Sequence, residues 1–245
     1  MTSLSVNLNK IALLRNARGR DYPNVIDFAQ KMIDLGVQGI TVHPRQDERH
    51  ATRQDTRDLA ELIKGFENVE FNVEGYPSDD FMALIEETRP DQCTLVPDGP
   101  DQITSDHGWD MHQNATRITA LGAEFKRMGV RSSVFLDPDV EQVTLAADCG
   151  IDRIELYTEK FAVDYLSDQR LNTFNLYKNA AKAACKLGLG VNAGHDLDLN
   201  NLAYFLQIPE ILEVSIGHAL TVECLEQGMH KVVVSYLQIC QQAAN

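Results

Sequence analysis

Short apolar runs rich in β-branched residues alternate with longer amphipathic stretches along the whole chain. The short runs predict eight strands, near Leu4–Leu8, Gly39–His43, Val69–Val73, Cys93–Val96, Ser132–Leu136, Arg153–Tyr157, Gly190–Ala193 and Glu213–Ile216. The longer stretches predict helices over residues 24–36, 53–65, 78–88, 110–129, 139–149, 168–188, 198–206 and 219–243. Ser78 and the Asp137-Pro138 pair suit helix starts, while Gly36, Gly65, Gly129, Gly150 and Gly188 suit helix ends. Strand–helix alternation repeated eight times predicts an α/β fold, a (β/α)₈ TIM barrel with extra helices. No Pro/Gly/Ser-rich linker divides the chain, so one domain over residues 1–245 is expected. An open dinucleotide-binding sheet would carry a glycine-rich turn after its first strand, where this chain has Asn9-Lys10-Ile11-Ala12.

The pleat sorts side chains into two faces. Leu4/Val6/Leu8, Ile40/Val42, Val69/Phe71/Val73, Ile154/Leu156, Val191/Ala193 and Val214/Ile216 share the parity expected to meet the outer helices. The opposite parity, expected inside the barrel, reads Ser5/Asn7/Asn9, Thr41/His43/Arg45, Glu70/Asn72/Glu74, Thr94, Glu155, Asn192 and Ser215. A barrel interior is ordinarily packed with Val, Ile and Leu. Buried Asn, Glu and His are costly unless paired, so this polar interior is either a reactive one or a self-satisfied hydrogen-bonded network.

Composition narrows the function classes. A net charge of −14 over 245 residues argues against non-specific nucleic-acid binding. No apolar run reaches the roughly 20 residues of a membrane span. Met1-Thr2-Ser3-Leu4-Ser5 lacks the regions of a signal peptide, and five dispersed cysteines without a CxxC pair suit a reducing compartment. A cytoplasmic protein is expected. Residues 1–57 nevertheless carry nine basic and six acidic groups, a surplus of +3 on an acidic chain. Such a local surplus suggests a small anionic ligand, although Arg53 and Arg57 read as exposed helix charges.

Chemistry-bearing side chains gather at predicted strand ends. Gly194-His195 and Gly217-His218 follow strands seven and eight, where barrels often hold a phosphate on backbone N–H groups. His43 and His195 suit proton transfer near neutrality, or equally a structural hydrogen bond. Glu70 suits a general base, or an ion pair with a nearby arginine. Glu155 is a second inward carboxylate without an assigned role. Lys10 suits either a Schiff base or a phosphate contact. No HxH, HExxH or EF-hand spacing occurs, so no metal is expected.

The chain resembles the pyridoxine 5′-phosphate synthase family through several motifs in order. They are Ser5-Val6-Asn7 with Ile11-Ala12 and Leu14-Arg15-Asn16-Ala17-Arg18-Gly19, then Gly39-Ile40-Thr41-Val42-His43-Pro44-Arg45 with Arg49-His50. Asn68-Val69-Glu70, Leu95-Val96-Pro97, Val191-Asn192-Ala193-Gly194-His195 and Ile216-Gly217-His218-Ala219 follow. The resemblance implies a (β/α)₈ barrel that condenses 1-deoxy-D-xylulose 5-phosphate with 3-amino-2-oxopropyl phosphate. The products would be pyridoxine 5′-phosphate, inorganic phosphate and water, formed by acid–base catalysis without cofactor or metal. It further implies His43 and Glu70 as proton acceptors and His195 as proton donor. Asn7, Arg18, Asp196, Gly217 and His218 would hold the aminoketone phosphate, and Arg45, His50 and Thr104 the deoxyxylulose phosphate. A homo-octamer and a mobile loop after strand four, here Pro97–Asp110, belong to the same pattern.

Two departures stand out. Asn9-Lys10 replaces an Asp-His pair that contacts the deoxyxylulose phosphate in the family pattern, and keeps a hydrogen-bonding group and a cation. Asp196 replaces a glycine, which is harmless if only its backbone N–H is used and repulsive if its carboxylate faces the phosphate. Three other readings remain: a phosphosugar aldolase or isomerase using Lys10, a metal-dependent hydrolase, and a non-enzymatic phosphate-ligand sensor.

Overall fold

The computed structural model describes residues 1–99 and 105–243. Eight parallel strands form a closed barrel in sequential order: β1 (Ser3–Asn7), β2 (Gly39–Val42), β3 (Glu70–Gly75), β4 (Gln92–Leu95), β5 (Arg131–Leu136), β6 (Arg153–Tyr157), β7 (Gly190–Gly194) and β8 (Ile211–Ile216). β8 pairs back onto β1, with Ser3 opposite Glu213 and Val6 opposite Ile216. This is the (β/α)₈ TIM barrel expected from the alternation, and all eight predicted strands are present.

The helices are α1 (Asn9–Asn16), α2 (Val25–Asp34), α3 (Arg53–Ile63), α4 (Asp79–Thr88), α5 (Met111–Met128), α6 (Val140–Asp148), α7 (Glu159–Asp164), α8 (Arg170–Lys186), α9 (Leu202–Phe205), α10 (His218–Gln227) and α11 (Met229–Gln242). Ser78 caps α4 by accepting from Phe81 N–H, as its position predicted. At α6 the cap is Asp139, which accepts from the N–H groups of Glu141 and Gln142. Asp137 is turned away from that helix and accepts from Gly108 N–H at 3.2 Å. The predicted single terminal helix is two, because Gly228 at φ +90° breaks the helical path between α10 and α11.

The two pleat faces separate as expected. Leu4, Val6, Ile40, Val42, Phe71, Val73, Ile154, Leu156, Val191, Ala193, Val214 and Ile216 are all buried in one apolar cluster with the helices. The opposite parity fills the lumen with polar groups. At the N-terminal floor, Arg131 forks onto Glu70 and donates to Gln92 Oε1 at 3.0 Å. Arg153 reaches Asn192 Oδ1 at 3.1 Å and Glu213 at 3.4 Å. Above the floor, Ser5 and Thr41 hydroxyls meet at 2.7 Å, and Thr94 donates to Asn72 at 3.1 Å. The interior is thus a hydrogen-bonded network that leaves several buried polar atoms unmatched. These bonds cross-link the floor and waist, yet Gln92 Nε2, Ser133 Oγ, Glu155 Oε2 and Ser215 Oγ are buried in the lumen without hydrogen-bond partners among the described residues.

Candidate active site

The C-terminal mouth is assembled from residues at or near the ends of all eight strands, and its first element is local. Asn7, the last residue of β1, accepts from Asn9 N–H through its side-chain carbonyl at 3.0 Å, which turns the chain straight into α1. Asn9 Oδ1 then accepts from the backbone N–H of His43 at 2.9 Å. Asn9 thereby ties the end of β2 to the start of α1 and fixes His43. Lys10, in the first turn of α1, is half-buried at the mouth.

The segment after β2 is clamped from below. Arg15 forms a buried ion pair with Asp55 and extends to the His50 carbonyl at 3.5 Å, while Asn16 donates to the same carbonyl at 2.9 Å. These bonds hold His50 with its ring centroid 6.3 Å from that of His43, edge to face. Arg45 pairs with Asp98, three residues beyond the end of β4, and both side chains are almost wholly buried.

Glu74 and Glu155 supply the carboxyl groups of the mouth, on β3 and β6. Both are buried, and Asn7 Nδ2 donates to Glu74 Oε2 at 3.3 Å. A side chain at Gly194 would run into the Glu155 carboxylate, so the glycine makes room for it. Next to it His195 sits at φ +69°, a conformation that costs a non-glycine residue energy. Thr158 secures that turn by donating to the His195 carbonyl at 2.6 Å. The His195 ring packs against Phe135 and Tyr157, with centroids at 5.2 and 5.4 Å. The second turn, Gly217 with His218 opening α10, packs onto Asn7: a Cβ on Gly217 would lie 3.0 Å from Asn7 Cβ.

Burial and neighbouring charge set the protonation states. Burial first, then Arg45, pushes His43 well below the usual imidazole range. Burial lowers His50 to about 4, helped by Arg45 and Lys10. His195 falls to about 4 through burial, Lys10 and Arg45. All three are neutral at pH 7. The carboxyls move the other way. Glu74 is raised well above the ordinary range by burial and then by Glu155 and Asp98, against the pull of Arg45. Glu155 is raised to about 8, again chiefly by burial and then by Glu213. Neutral imidazoles and raised carboxyls in one cavity are the equipment of proton transfer near neutral pH.

The predicted residues divide by position. Asn7, Asn9, Lys10, His43, Arg45, His50, His195, Asp196, Gly217 and His218 all lie at this mouth. Asp196, at φ +36°, stands at the solvent edge within electrostatic reach of Glu159 and His218, which places a carboxylate beside the glycine-histidine turns. Arg18 is on the exposed turn after α1 and is not among the charges acting on the mouth histidines. Thr104 lies outside the described residues, as do residues 100–103 of the expected loop over 97–110.

Glu70 stands apart from that group. Its inward parity is right, but it opens β3 at the floor, where its N–H bonds the Gln38 carbonyl and its half-exposed carboxylate pairs with Arg131. The ion pair holds it below the ordinary carboxylate range. In this position Glu70 makes an ion pair with an arginine, as its structural alternative would have it. The β3 carboxyl at the mouth is Glu74, two steps further along the same face, beyond Asn72. Sequence reading had a signal for it, since Asn-Val-Glu occurs twice, at 68–70 and 72–74. Asp98 and Glu155 also went unassigned, because only the closed barrel brings them beside Arg45 and Gly194. Among the described residues no cluster of three or more His, Cys, Asp or Glu is arranged to hold a metal ion. None of the described helices is long and apolar enough to cross a membrane.

Comparison with known proteins agrees with this architecture. Residues 4–242 match the family described as Pyridoxal phosphate biosynthesis protein PdxJ. A pyridoxine 5′-phosphate synthase of Christiangramia forsetii is 50% identical over 240 residues, covering 98% of this chain and 99% of that one. One from Bacteroides fragilis is 50% identical over 237 residues, covering 96% and 98%. Among solved structures, 3-keto-L-gulonate-6-phosphate decarboxylase from Vibrio cholerae superposes with a TM-score of 0.67 at 11% identity, covering 98% of each chain. At that identity the likeness concerns the barrel alone.

Proposed function

The chain belongs to the PdxJ family of vitamin B6 biosynthesis enzymes, and we propose that it joins 1-deoxy-D-xylulose 5-phosphate to 3-amino-2-oxopropyl phosphate, forming pyridoxine 5′-phosphate, inorganic phosphate and water. The observation that carries this reading is the convergence of neutral His43 and His195 with the raised carboxyls of Glu74 and Glu155, beside Lys10 and Arg45. The substrates bring two phosphates into a buried mouth, so cationic side chains and glycine turns have to meet their charge. Imine formation, elimination of phosphate and ring closure each move protons, and none demands an electron sink.

In this reading Glu74, rather than Glu70, is the acid–base carboxyl that β3 brings to the mouth. His43, pinned through its backbone by Asn9, accepts a proton from the condensing substrates, and its depressed basicity keeps it available as a neutral base. Glu74, held by Asn7, passes protons on the same side of the cavity. His195 donates to a leaving oxygen from the β7 side, backed by the aromatic rings of Phe135 and Tyr157. Glu155, protonated at neutral pH, offers a hydrogen bond to developing negative charge. Asn7, Asp196 through its backbone N–H, Gly217 and His218 hold the aminoketone phosphate, with Arg18 completing that site. Arg45, His50, Lys10 and Thr104 hold the deoxyxylulose phosphate, and Asn9 supports them. The reaction uses no cofactor or metal, and the working form is a cytoplasmic homo-octamer of one-domain chains.

Incubation with both phosphates, singly and together, tests the reading. Pyridoxine 5′-phosphate and inorganic phosphate are expected only when both substrates are present. Product from either one alone, or binding without product, contradicts it.

A further inference from the structure

We propose that Asp98 is a built-in counter-ion of Arg45 that the incoming substrate phosphate displaces, so that this carboxylate sets the affinity of the ketose-phosphate subsite. The inference rests on the reading that Arg45 receives the phosphate of the deoxyxylulose substrate.

The geometry is that of a site already filled by an anion. Arg45 and Asp98 side chains are 7% and 3% exposed. Arg45 Nη2 donates to Asp98 Oδ2, and Ser105 Oγ donates to the same oxygen at 2.8 Å. The other oxygen, Oδ1, is buried without a hydrogen-bond partner among the described residues. A carboxylate kept only for stability would fill both oxygens, because an unsatisfied buried acceptor is costly. The pair also lines a cavity with His43, Tyr76 and Gly99, beside the proposed reaction space.

A phosphate dianion and a carboxylate do not share one guanidinium in a buried cavity without strong repulsion. Two ways out are open to Asp98. It swings off Arg45, leaving the Ser105 hydroxyl as its remaining hydrogen-bond partner among the described residues, or it takes up a proton, which burial already favours. Until substrate arrives, the carboxylate keeps Arg45 from being an uncompensated buried cation. Asp98 is also one of the negative charges that raise Glu74. Exchange of carboxylate for phosphate therefore keeps an anion beside that carboxyl.

Calorimetric titration of each substrate separately into wild type, Asp98→Asn, Ser105→Ala and Arg45→Ala tests the exchange. Asp98→Asn keeps the shape and removes the competing charge, so it should bind the deoxyxylulose phosphate about tenfold more tightly, with aminoketone phosphate affinity unchanged. Ser105→Ala, which loosens the carboxylate, should shift the same affinity in the same direction by a smaller factor. Deoxyxylulose phosphate affinity that is equal or weaker in Asp98→Asn overturns the proposal, and so does an unchanged Ser105→Ala if the first variant does not fold. Arg45→Ala separates the two layers. Its loss of deoxyxylulose phosphate binding leaves the phosphate assignment standing whatever Asp98 does, whereas wild-type affinity in that variant removes both.

Discussion

Glu70 and Glu74 occupy the same inward face of β3, yet one closes the barrel floor and the other faces the mouth. Four residues of strand separate them by about 13 Å. The difference in depth decides their chemistry. Glu70 is half-exposed and ion-paired with Arg131, and Glu74 is bonded to Asn7 and raised first by burial and then by neighbouring carboxyls. In a barrel, parity says which side of the wall a residue takes, and distance from the strand's C-terminal end says whether it can meet a substrate.

Arg45→Ala should weaken the deoxyxylulose phosphate by about a hundredfold, in line with the loss of a charge-assisted pair of roughly 2–3 kcal/mol. The aminoketone phosphate, assigned to the turns after β7 and β8, should change little. Equal losses for both substrates in direct titrations would sink the assignment of subsites.

Gly194→Ala places a methyl group on the Glu155 carboxylate. Overpacking of this kind costs about 1–3 kcal/mol, read as a lower denaturation midpoint. Turnover should fall further than stability does, because Glu155 has to move. An alanine variant with wild-type turnover would show that Glu155 has no part in the reaction.

Asn9→Ala removes the acceptor that holds the His43 backbone N–H. The expected cost is about 1 kcal/mol of stability, together with a lower kcat. Asn9→Asp keeps an oxygen in the same place and should recover most of the stability. If the alanine and aspartate variants behave alike in urea unfolding and turnover, the tether has no role.

How much of this was legible beforehand depends on the range of the interaction. The strands and their two faces follow from a local period of two, and all eight were visible as β-branched runs. α1 and α7 were not, because they are short, and neither Leu8 nor Thr158 caps its helix through a side chain. The break at Gly228 was hidden inside an otherwise continuous helical pattern. The histidines and the glycine turns stood out as unusual residues at strand ends. The partner of Arg45 did not, since Asp98 is 53 positions away and sits in a segment that reads as an ordinary turn. The choice between Glu70 and Glu74 required knowing where β3 begins, and strand ends are the least local property of the pattern.

His50 and His195 should make the fold acid-sensitive. Each titrates at about 4 in the folded chain, against an ordinary value near 6.5 when unfolded. Between those values the unfolded chain binds more protons, so stability rises with pH across that window and is lost as pH falls through it. Denaturant midpoints should drop from pH 6.5 to 4 in the wild type and drop less in His50→Gln. Parallel curves for the two proteins would mean that His50 is not held neutral.

The most direct test of the account compares product formation in Glu74→Gln and Glu70→Gln, with both substrates at saturation and binding of each confirmed by titration. Glu74→Gln should bind both substrates and turn over at least about a hundredfold more slowly, the scale of a lost acid–base group. Glu70→Gln should keep near-normal turnover and lose only stability, through its broken pair with Arg131. The opposite ranking, with turnover abolished in Glu70→Gln and preserved in Glu74→Gln, would contradict a reaction site at the C-terminal mouth.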